Sequence, residues 1–441
     1  MSEYANNNRL PVLHTLPASL PLESGSTIRS KFIVEMQKSF AAPTVAVYPT
    51  HSEKQARLGN PAEINGVNYH YLVDRSAVRK QLYDFRLTRP ATTRWQMRRF
   101  RTFLADVAAK AQPAVIHAAT PYTVGLPALQ VARSYKIPFV YEVRNLSEFD
   151  VLTGRRFDTH GLRVLHRRRS ENHLLLSADA VVAISQTSRG ELLSRGVDEK
   201  KLFTVLNGID STVFAPRARD HELSLALGLE GKFVLGSIGY LKRIEGLELL
   251  LQAVPGLREA GKDIAVLIVG EGPEQPILKR LASRMGIESQ VIFAGQVSFS
   301  EILQYYSLID LFVMPRIRTR LTEIISPLKP LEAMAMQIPV LGSDVGGITE
   351  IIRDRENGFT FKAGNLHDLI RQCLFVMENT PKSLEAARSG RQEVLKSRQW
   401  SSLVRQYESI YASVSGCTEN AEPRRAAGVL NLPTGGSVER A

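Results

Sequence analysis

Apolar residues come along this chain in short runs, each closed by a turn rich in Gly, Ser or Asn and followed by a helical pattern. In the first half the runs fall at 44–48, 67–73, 114–118, 139–143, 180–184 and 202–205, with a proline-broken one inside 9–22. In the second half they fall at 233–238, 264–269, 291–293, 308–315 and 340–341. Helical patterns lie between them at 28–40, 120–135, 245–253 and 328–336, and Phe100, Phe103, Leu104 and Val107 share one helical face. Strand and helix alternate throughout, which predicts parallel βαβ units and an α/β protein. The alternation stops at the polar stretch 217–231 and then restarts. Two Rossmann-like domains facing a cleft are therefore expected: 1–205, a linker at 206–230, 231–395, a helix over 396–413 able to cross back to the first domain, and a disordered tail at 414–441.

Composition narrows the partners. Of 441 residues, 56 are basic and 44 acidic, a net +12, which suits a phosphorylated ligand, an acidic lipid surface or nucleic acid. Two segments concentrate the excess. Residues 75–101 hold nine basic residues and one acid among Leu82, Tyr83, Phe85, Trp95, Met97 and Phe100, and residues 155–169 hold six basic residues and one acid. A solvated helix face accounts for them, and so does a peripheral membrane patch, where cations meet headgroups and Trp or Phe enters the interface. No nucleic-acid motif accompanies them, so no nucleic-acid partner is expected. Cys373 and Cys417 make neither a disulfide framework nor a metal cluster. No run approaches the roughly 20 apolar residues of a membrane span, and the opening residues lack a signal-peptide pattern. A cytoplasmic location, or the inner face of the cytoplasmic membrane, is the expectation.

Ligands of parallel sheets bind at the carboxyl ends of strands. Gly25, His117, Glu142, Arg144 and Ser185 fall at such ends in the first half. The second half offers glycine-bearing loops at 239–243, 270–274, 295–297 and 344–347. Its densest segment is 316–339, RIRTRLTEIISPLKPLEAMAMQIP: arginines, then Ser326-Pro327, then a helix whose free N–H groups favour an anion. Lys329 adds a mobile charge there, and Glu332, one turn in, can accept from sugar or ribose hydroxyls. Taken alone, the same residues also fit solvated arginines ahead of an ordinary core helix.

The motifs GSIG, VGEGPE, FAGQV, SPLKPLEAMA, DVGGITEII and NGF, in this order, resemble the C-terminal domain of family 4 glycosyltransferases. VLNGID with Phe214 and Pro216 resembles the family's linker, and SGSTIRS and VIHAATPYTVGLPAL its N-terminal motifs. YEVRN paired with RIRTRLTEIISPLKPLEAMA looks closest to the branch of bacterial exopolysaccharide and exosortase-associated clusters. The resemblance implies a GT-B fold, with a nucleotide-sugar donor, UDP-sugar chemistry with retention, no metal or other cofactor, and a glycan or lipid-linked acceptor. It also implies roles. Arg320, Lys329 and the helix start at Leu328 would stabilise the departing diphosphate, and Glu332 would bind the ribose. Val297 would meet the base, the loop at Gly25 would close on diphosphate or sugar, and Glu323 would contact the sugar. Arg316, Ser326 and Lys242 would complete the donor side, and His117, Glu142, Arg144 and Ser185 the acceptor side.

The chain departs from the family pattern at three places. Ile324 stands eight before Glu332, where the family has a first Glu, and Glu323 is one residue off. The usual Arg and Lys after the first C-domain strand are Tyr240 and Glu245, which leaves Arg316, Arg318, Arg320, Lys329, Lys242 and Arg243 as replacement cations. Ala119 stands where many members carry a second His. A GT-B-shaped binding protein without transfer activity, or a sugar-nucleotide epimerase, would share the same motifs.

Overall fold

A computed structural model describes residues 9–20, 22, 25–50, 60–73, 89–152 and 161–416. Two sheets organise them. The first holds β1 (Leu10–Leu16), β2 (Ala41–Thr50), β3 (Ala62–Ile64), β4 (Val67–Val73), β5 (Val115–Ala119), β6 (Phe139–Val143), β7 (Ala180–Ala183) and β8 (Leu202–Thr204). Their order is β3-β4-β2-β1-β5-β6-β7-β8, and only the β3/β4 pair is antiparallel. The second holds β9 (Phe233–Ile238), β10 (Ile264–Val269), β11 (Val291–Gly295), β12 (Leu311–Met314), β13 (Val340–Ser343) and β14 (Phe359–Phe361), all parallel, in the order β11-β10-β9-β12-β13-β14. Every residue of β5, β6, β7, β10, β12 and β13 is buried, as continuous runs covered by helices on both faces require. These are two Rossmann-like doubly wound domains, as the strand–helix alternation predicts.

In each sheet the winding reverses beside the first strand. The reversal lies between β1 and β5 in the first domain and between β9 and β12 in the second. Crevices open at the carboxyl ends of strands at such points.

The chain crosses between domains twice, and the crossings run side by side. The Ile209 amide donates to the Arg398 carbonyl at 2.7 Å, and the Trp400 amide donates to the Ile209 carbonyl at 3.1 Å. Beyond Trp400, the Gln406–Ser415 helix docks on the first sheet. Trp400, Leu403, Val404, Tyr407, Ile410 and Tyr411 share a core with Val12, Phe32, Val140 and Val182.

The stretch 206–230 is not a free tether. Ile209, Phe214 and Leu229 are buried in the second domain's core, and a short helix, His221–Ala226, starts at Asp220, whose carboxylate accepts from the Leu223 amide at 3.0 Å. The helix expected from 245 begins at Leu247, after a 3-10 turn over Arg243–Glu245. The final helix runs to Ser415, so the tail expected from 414 starts inside it, and residues 417–441 lie outside the described residues.

The domains also meet across the cleft. The Glu350 carboxylate accepts from the Gln186 amide at 2.7 Å, and from the Thr187 amide and hydroxyl at 3.2 and 2.9 Å. It caps the Gln186–Ser194 helix, where a carboxylate favours both free N–H groups and dipole. Ser185 Oγ donates to the Ile324 carbonyl at 2.9 Å, and Asn207 Nδ2 to the Ser326 carbonyl at 2.7 Å.

Candidate functional site

The donor-side candidates converge where the second sheet reverses. Gly239 closes β9 with φ +132°, and the aliphatic end and ammonium of Lys329 lie across it where a Cβ would stand. Only glycine leaves that space in that backbone conformation. Lys329 opens the Lys329–Ala335 helix, whose Pro330 is placed where its missing N–H costs nothing. Its ammonium lies 3.3 Å from Glu245 Oε2. Arg316, just past β12, reaches the same carboxylate, with Nη2 3.2 Å from Oε1 and Nε 3.5 Å from Oε2, and its Nη1 donates to the Ile325 carbonyl at 3.1 Å. Burial alone would raise the Glu245 pKa, but the charges of Arg316 and Lys329 outweigh it and hold it at about 2.

Glu332 lies one turn further along the helix from Lys329. Tyr306 donates to its Oε2 at 2.6 Å. The residue keeps some surface exposure, yet its carboxyl is packed among protein atoms. That burial raises its pKa, and the Tyr306 bond and the Lys329 charge offset only part of the rise. Ser326 is buried, its carbonyl taken by Asn207, while its hydroxyl has no partner. Leu328 packs on the first domain's core, and a Cβ built on Gly25 would stand 3.7 Å from its Cδ1. Gly25, the exposed first residue of the Gly25–Gln37 helix, thus faces the donor-side segment from across the cleft. Val297 is half-buried in the loop after β11, and Lys31 of the first domain reaches the neighbouring Phe299 ring at 5.8 Å. Lys242 is exposed, its ammonium 5.6 Å from the exposed Tyr240 ring.

The remaining cations of this segment serve elsewhere. Arg320, expected beside the diphosphate, pairs with Glu191 of the first domain. Arg318 pairs with Glu323 and with Asp344, the latter at 2.6 Å. Glu323 uses its other oxygen to accept from the Gly346 amide at 2.8 Å. The physical reason is shared: Arg318 and Arg320 bracket the start of a short helix, Arg320–Ile324, which packs against the Gly346–Thr349 helix after β13 and the Gln186–Ser194 helix of the first domain.

The four acceptor-side residues do not form an open surface. Glu142 is fully buried at the end of β6. It accepts from Arg29 Nε at 3.0 Å, from Arg144 Nε at 2.5 Å and from the Tyr407 hydroxyl, and His117 Nε2 lies 3.4 Å away. Burial works to raise its pKa, and Arg144 and Arg29 pull it well below the carboxylate range. His117 Nδ1 is 2.7 Å from the Tyr411 hydroxyl, and burial lowers its pKa. Arg144 also donates to Ser30 Oγ at 2.5 Å and to the Ser26 carbonyl at 3.1 Å. Ser185 is the buried N-cap of its helix. Arg29, which follows the first glycine loop, is consumed in the same way. It donates to the Val205 and Leu206 carbonyls and to Asn207 Oδ1 at 2.9 to 3.1 Å, tying the first helix to the crossing.

Sequence reading missed Glu245 as the common partner of two cations, and Tyr306 as the partner of Glu332. One signal was present: two neighbouring cations near a buried strand end need a counter-charge, and Glu245 is a carboxylate where the family has a lysine.

Comparison with known proteins bears on family and fold. The family model described as Glycosyltransferase Family 4 matches residues 60–213, and the one described as Glycosyl transferases group 1 matches residues 232–379. The chain is 28% identical over 230 residues to the GDP-mannose-dependent alpha-(1-6)-phosphatidylinositol monomannoside mannosyltransferase of Mycolicibacterium smegmatis, covering 51% of this chain and 59% of the relative. It spans 54 to 59% of the length of the first curated relatives it matches. Among solved structures, sucrose-phosphate synthase from Thermosynechococcus elongatus superposes with a TM-score of 0.76 at 17% identity, covering 92% of this chain and all of the other. HepE of Anabaena, in complex with UDP-glucose, superposes with a TM-score of 0.72 at 18% identity, covering 91% and 99%. The shared architecture is the GT-B fold.

Proposed function

This chain belongs to the family 4 glycosyltransferases, and from that premise we propose that it moves a sugar, with retention of configuration, from a UDP-sugar to a glycan or lipid-linked saccharide in bacterial surface or exopolysaccharide synthesis. One observation carries the reading: Arg316, Lys329 and Glu332 meet beside Gly239 at the reversal of the second sheet, opposite Gly25. In the proposal, Lys329 meets the diphosphate, Arg316 stands behind it neutralising Glu245, and Glu332 accepts from the ribose. Ser326, Leu328 and Gly25 line the phosphate side, Val297 meets the base through its backbone, and Lys242 stands at the rim. On this reading Lys329 and the helix start at Leu328 meet the diphosphate charge, and no metal ion is called for.

Retention is compatible with a front-face course, in which the departing diphosphate itself takes the acceptor's proton. The protein then positions the reactants and stabilises charge developing on the leaving oxygen. Lys329 is placed for that charge, because it is the more exposed of the two cations. The acceptor enters from the first-domain side. His117, Glu142, Arg144 and Ser185 act there as the frame beneath the acceptor surface, since all four are buried in internal bonds.

Release of UDP from UDP-sugars, with and without a saccharide acceptor, tests the reading. A transferase releases UDP mainly when acceptor is present. A new UDP-sugar would mark an epimerase, and neither product a binding protein.

A further inference from the structure

We propose that Glu245 is the built-in counter-anion of the donor site: it holds Lys329 between turnovers, yields it to the diphosphate of an arriving nucleotide, and takes it back as the nucleoside diphosphate leaves. This rests on the donor reading above. Glu245 closes the Arg243–Glu245 turn, and Gly246 after it, at φ +69°, packs so tightly on the Pro315 carbonyl that no Cβ fits. The β9 loop is thereby pressed against the end of β12, with Glu245 beside Arg316. The two cations on Glu245 are unequal. The Arg316 side chain is 8% exposed and also donates to the Ile325 carbonyl, so it is fixed from two sides. The Lys329 side chain is 21% exposed and rests on the bare backbone of Gly239, with Glu245 as its ion-pair partner. Lys329 is therefore free to swing, and Arg316 is not.

The charge balance gives this arrangement a consequence. Arg316, Lys329 and Glu245 together carry a single net positive charge, and Glu332, which also feels the Lys329 charge, is bonded to Tyr306 and left for the ribose. A diphosphate offers Lys329 several anionic oxygens against one from Glu245, so the ammonium moves to it, and Glu245 stays neutralised by Arg316. When the sugar has gone, Glu245 competes for Lys329 and weakens the grip on the product. The exchange forms and breaks no covalent bond.

The test is Glu245→Gln, which keeps shape and one acceptor but removes the charge. UDP, GDP, ADP and TDP serve as probes in calorimetric titration of the full chain. The variant should bind its preferred nucleoside diphosphate at least about tenfold tighter than the unaltered chain does, the weight of one charge-assisted contact. Its donor KM and its kcat should both fall, because product release becomes slower. It should also melt at a lower temperature without nucleotide and gain more from saturating nucleotide. In a Lys329→Met background the tightening should vanish. Unchanged or weaker binding in a folded Glu245→Gln chain overturns the counter-anion, because a merely structural carboxylate would loosen the site when removed. An unaltered chain that binds none of the four overturns the donor reading itself. Should Glu245→Gln fail to fold, Lys329→Met alone decides: binding weaker by about tenfold or more supports the hand-over, and unchanged binding ends it.

Discussion

Glu332 is held in two ways that pull in opposite directions. Burial raises its pKa, while the Tyr306 hydroxyl, donating at 2.6 Å, favours the ionised acceptor a ribose would need. Glu332→Gln keeps an oxygen for Tyr306, so the fold should persist, and nucleoside diphosphate affinity should fall about tenfold, the loss of one charge-assisted bond. Calorimetric titration checks this, and unchanged affinity would remove Glu332 from the site. The raised pKa gives a second expectation: affinity should decline on acidification at a higher pH than an ordinary carboxylate would set, and Glu332→Gln should flatten that decline. Glu245 behaves oppositely. Its folded pKa of about 2 lies below the unfolded value near 4.5, so its contribution is present above pH 4.5 and is lost as pH falls toward 2. That contribution is on the order of 3 kcal/mol, so Glu245→Gln should melt with a shallower acid dependence than the unaltered chain.

Elements show where sequence reading succeeds. β6, β9 and β10 run over the residues that the apolar pattern assigns, because strands buried on both faces leave no ambiguity of face, and β4 does so by its alternation, with Val67, Tyr69 and Tyr71 buried. β3, three residues long and paired antiparallel at the sheet edge, leaves no such run, and the His221–Ala226 helix hides in a polar stretch. Lys329 and Glu332 were legible as polar residues one turn apart at a helix start, whereas the partners they face, Gly239, Glu245 and Tyr306, and the approach of Gly25 to Leu328, lie far off in sequence. The site was not legible at Arg29, Arg320 and Glu142, which pair with residues more than a hundred positions away, Arg29 with Glu142, Arg320 with Glu191 and Glu142 with Tyr407, and so leave no local pattern. Residues equally far along the chain make the returning segment, Trp400 and the last helix together, structural. Trp400 is buried between Phe32 and the Arg29 guanidinium, 6.0 and 5.2 Å from its ring. Trp400→Ala should destabilise by about 3–5 kcal/mol in denaturant titration. Tyr411→Phe strips His117 and Gln37 of a hydroxyl at 2.7 and 3.0 Å and should cost about 1–3 kcal/mol. Loss of neither amount would mean that the returning helix is a passive cover rather than part of the first domain's core.

At the scale of the whole molecule, the question is what a chain of net charge +12 approaches with its first domain. No helix among the described residues is long and apolar enough to cross a membrane. Phe100, one expected anchor, is fully buried with Leu104 and Val107 in the core, so it cannot enter an interface. Trp95 is 36% exposed, with the Arg99 guanidinium 4.7 Å from its ring. A stronger feature lies on the Gly161–Ser177 helix, where Leu162, Leu165 and Leu176 are exposed at 83, 41 and 55% beside exposed Arg168 and Arg169. That helix and the Arg89–Ala111 helix both pack against the Tyr122–Tyr135 helix, which places the two basic surfaces on one side of the sheet. The rest of the basic segments, 75–88 and 155–160, lies outside the described residues. Leucines beside arginines suit an anionic lipid surface, where each cation contributes about 1 kcal/mol and the apolar groups add to it. The expectation is co-sedimentation with vesicles containing phosphatidylglycerol and not with neutral phosphatidylcholine, falling steeply with salt because surface charge is screened over about 8 Å at physiological ionic strength. Leu162→Ser should weaken the binding without moving the melting temperature, since its side chain already stands largely in water. Equal partition onto both vesicles, or onto neither, would leave the arginines as a solvated face and turn the search for the acceptor toward a soluble saccharide.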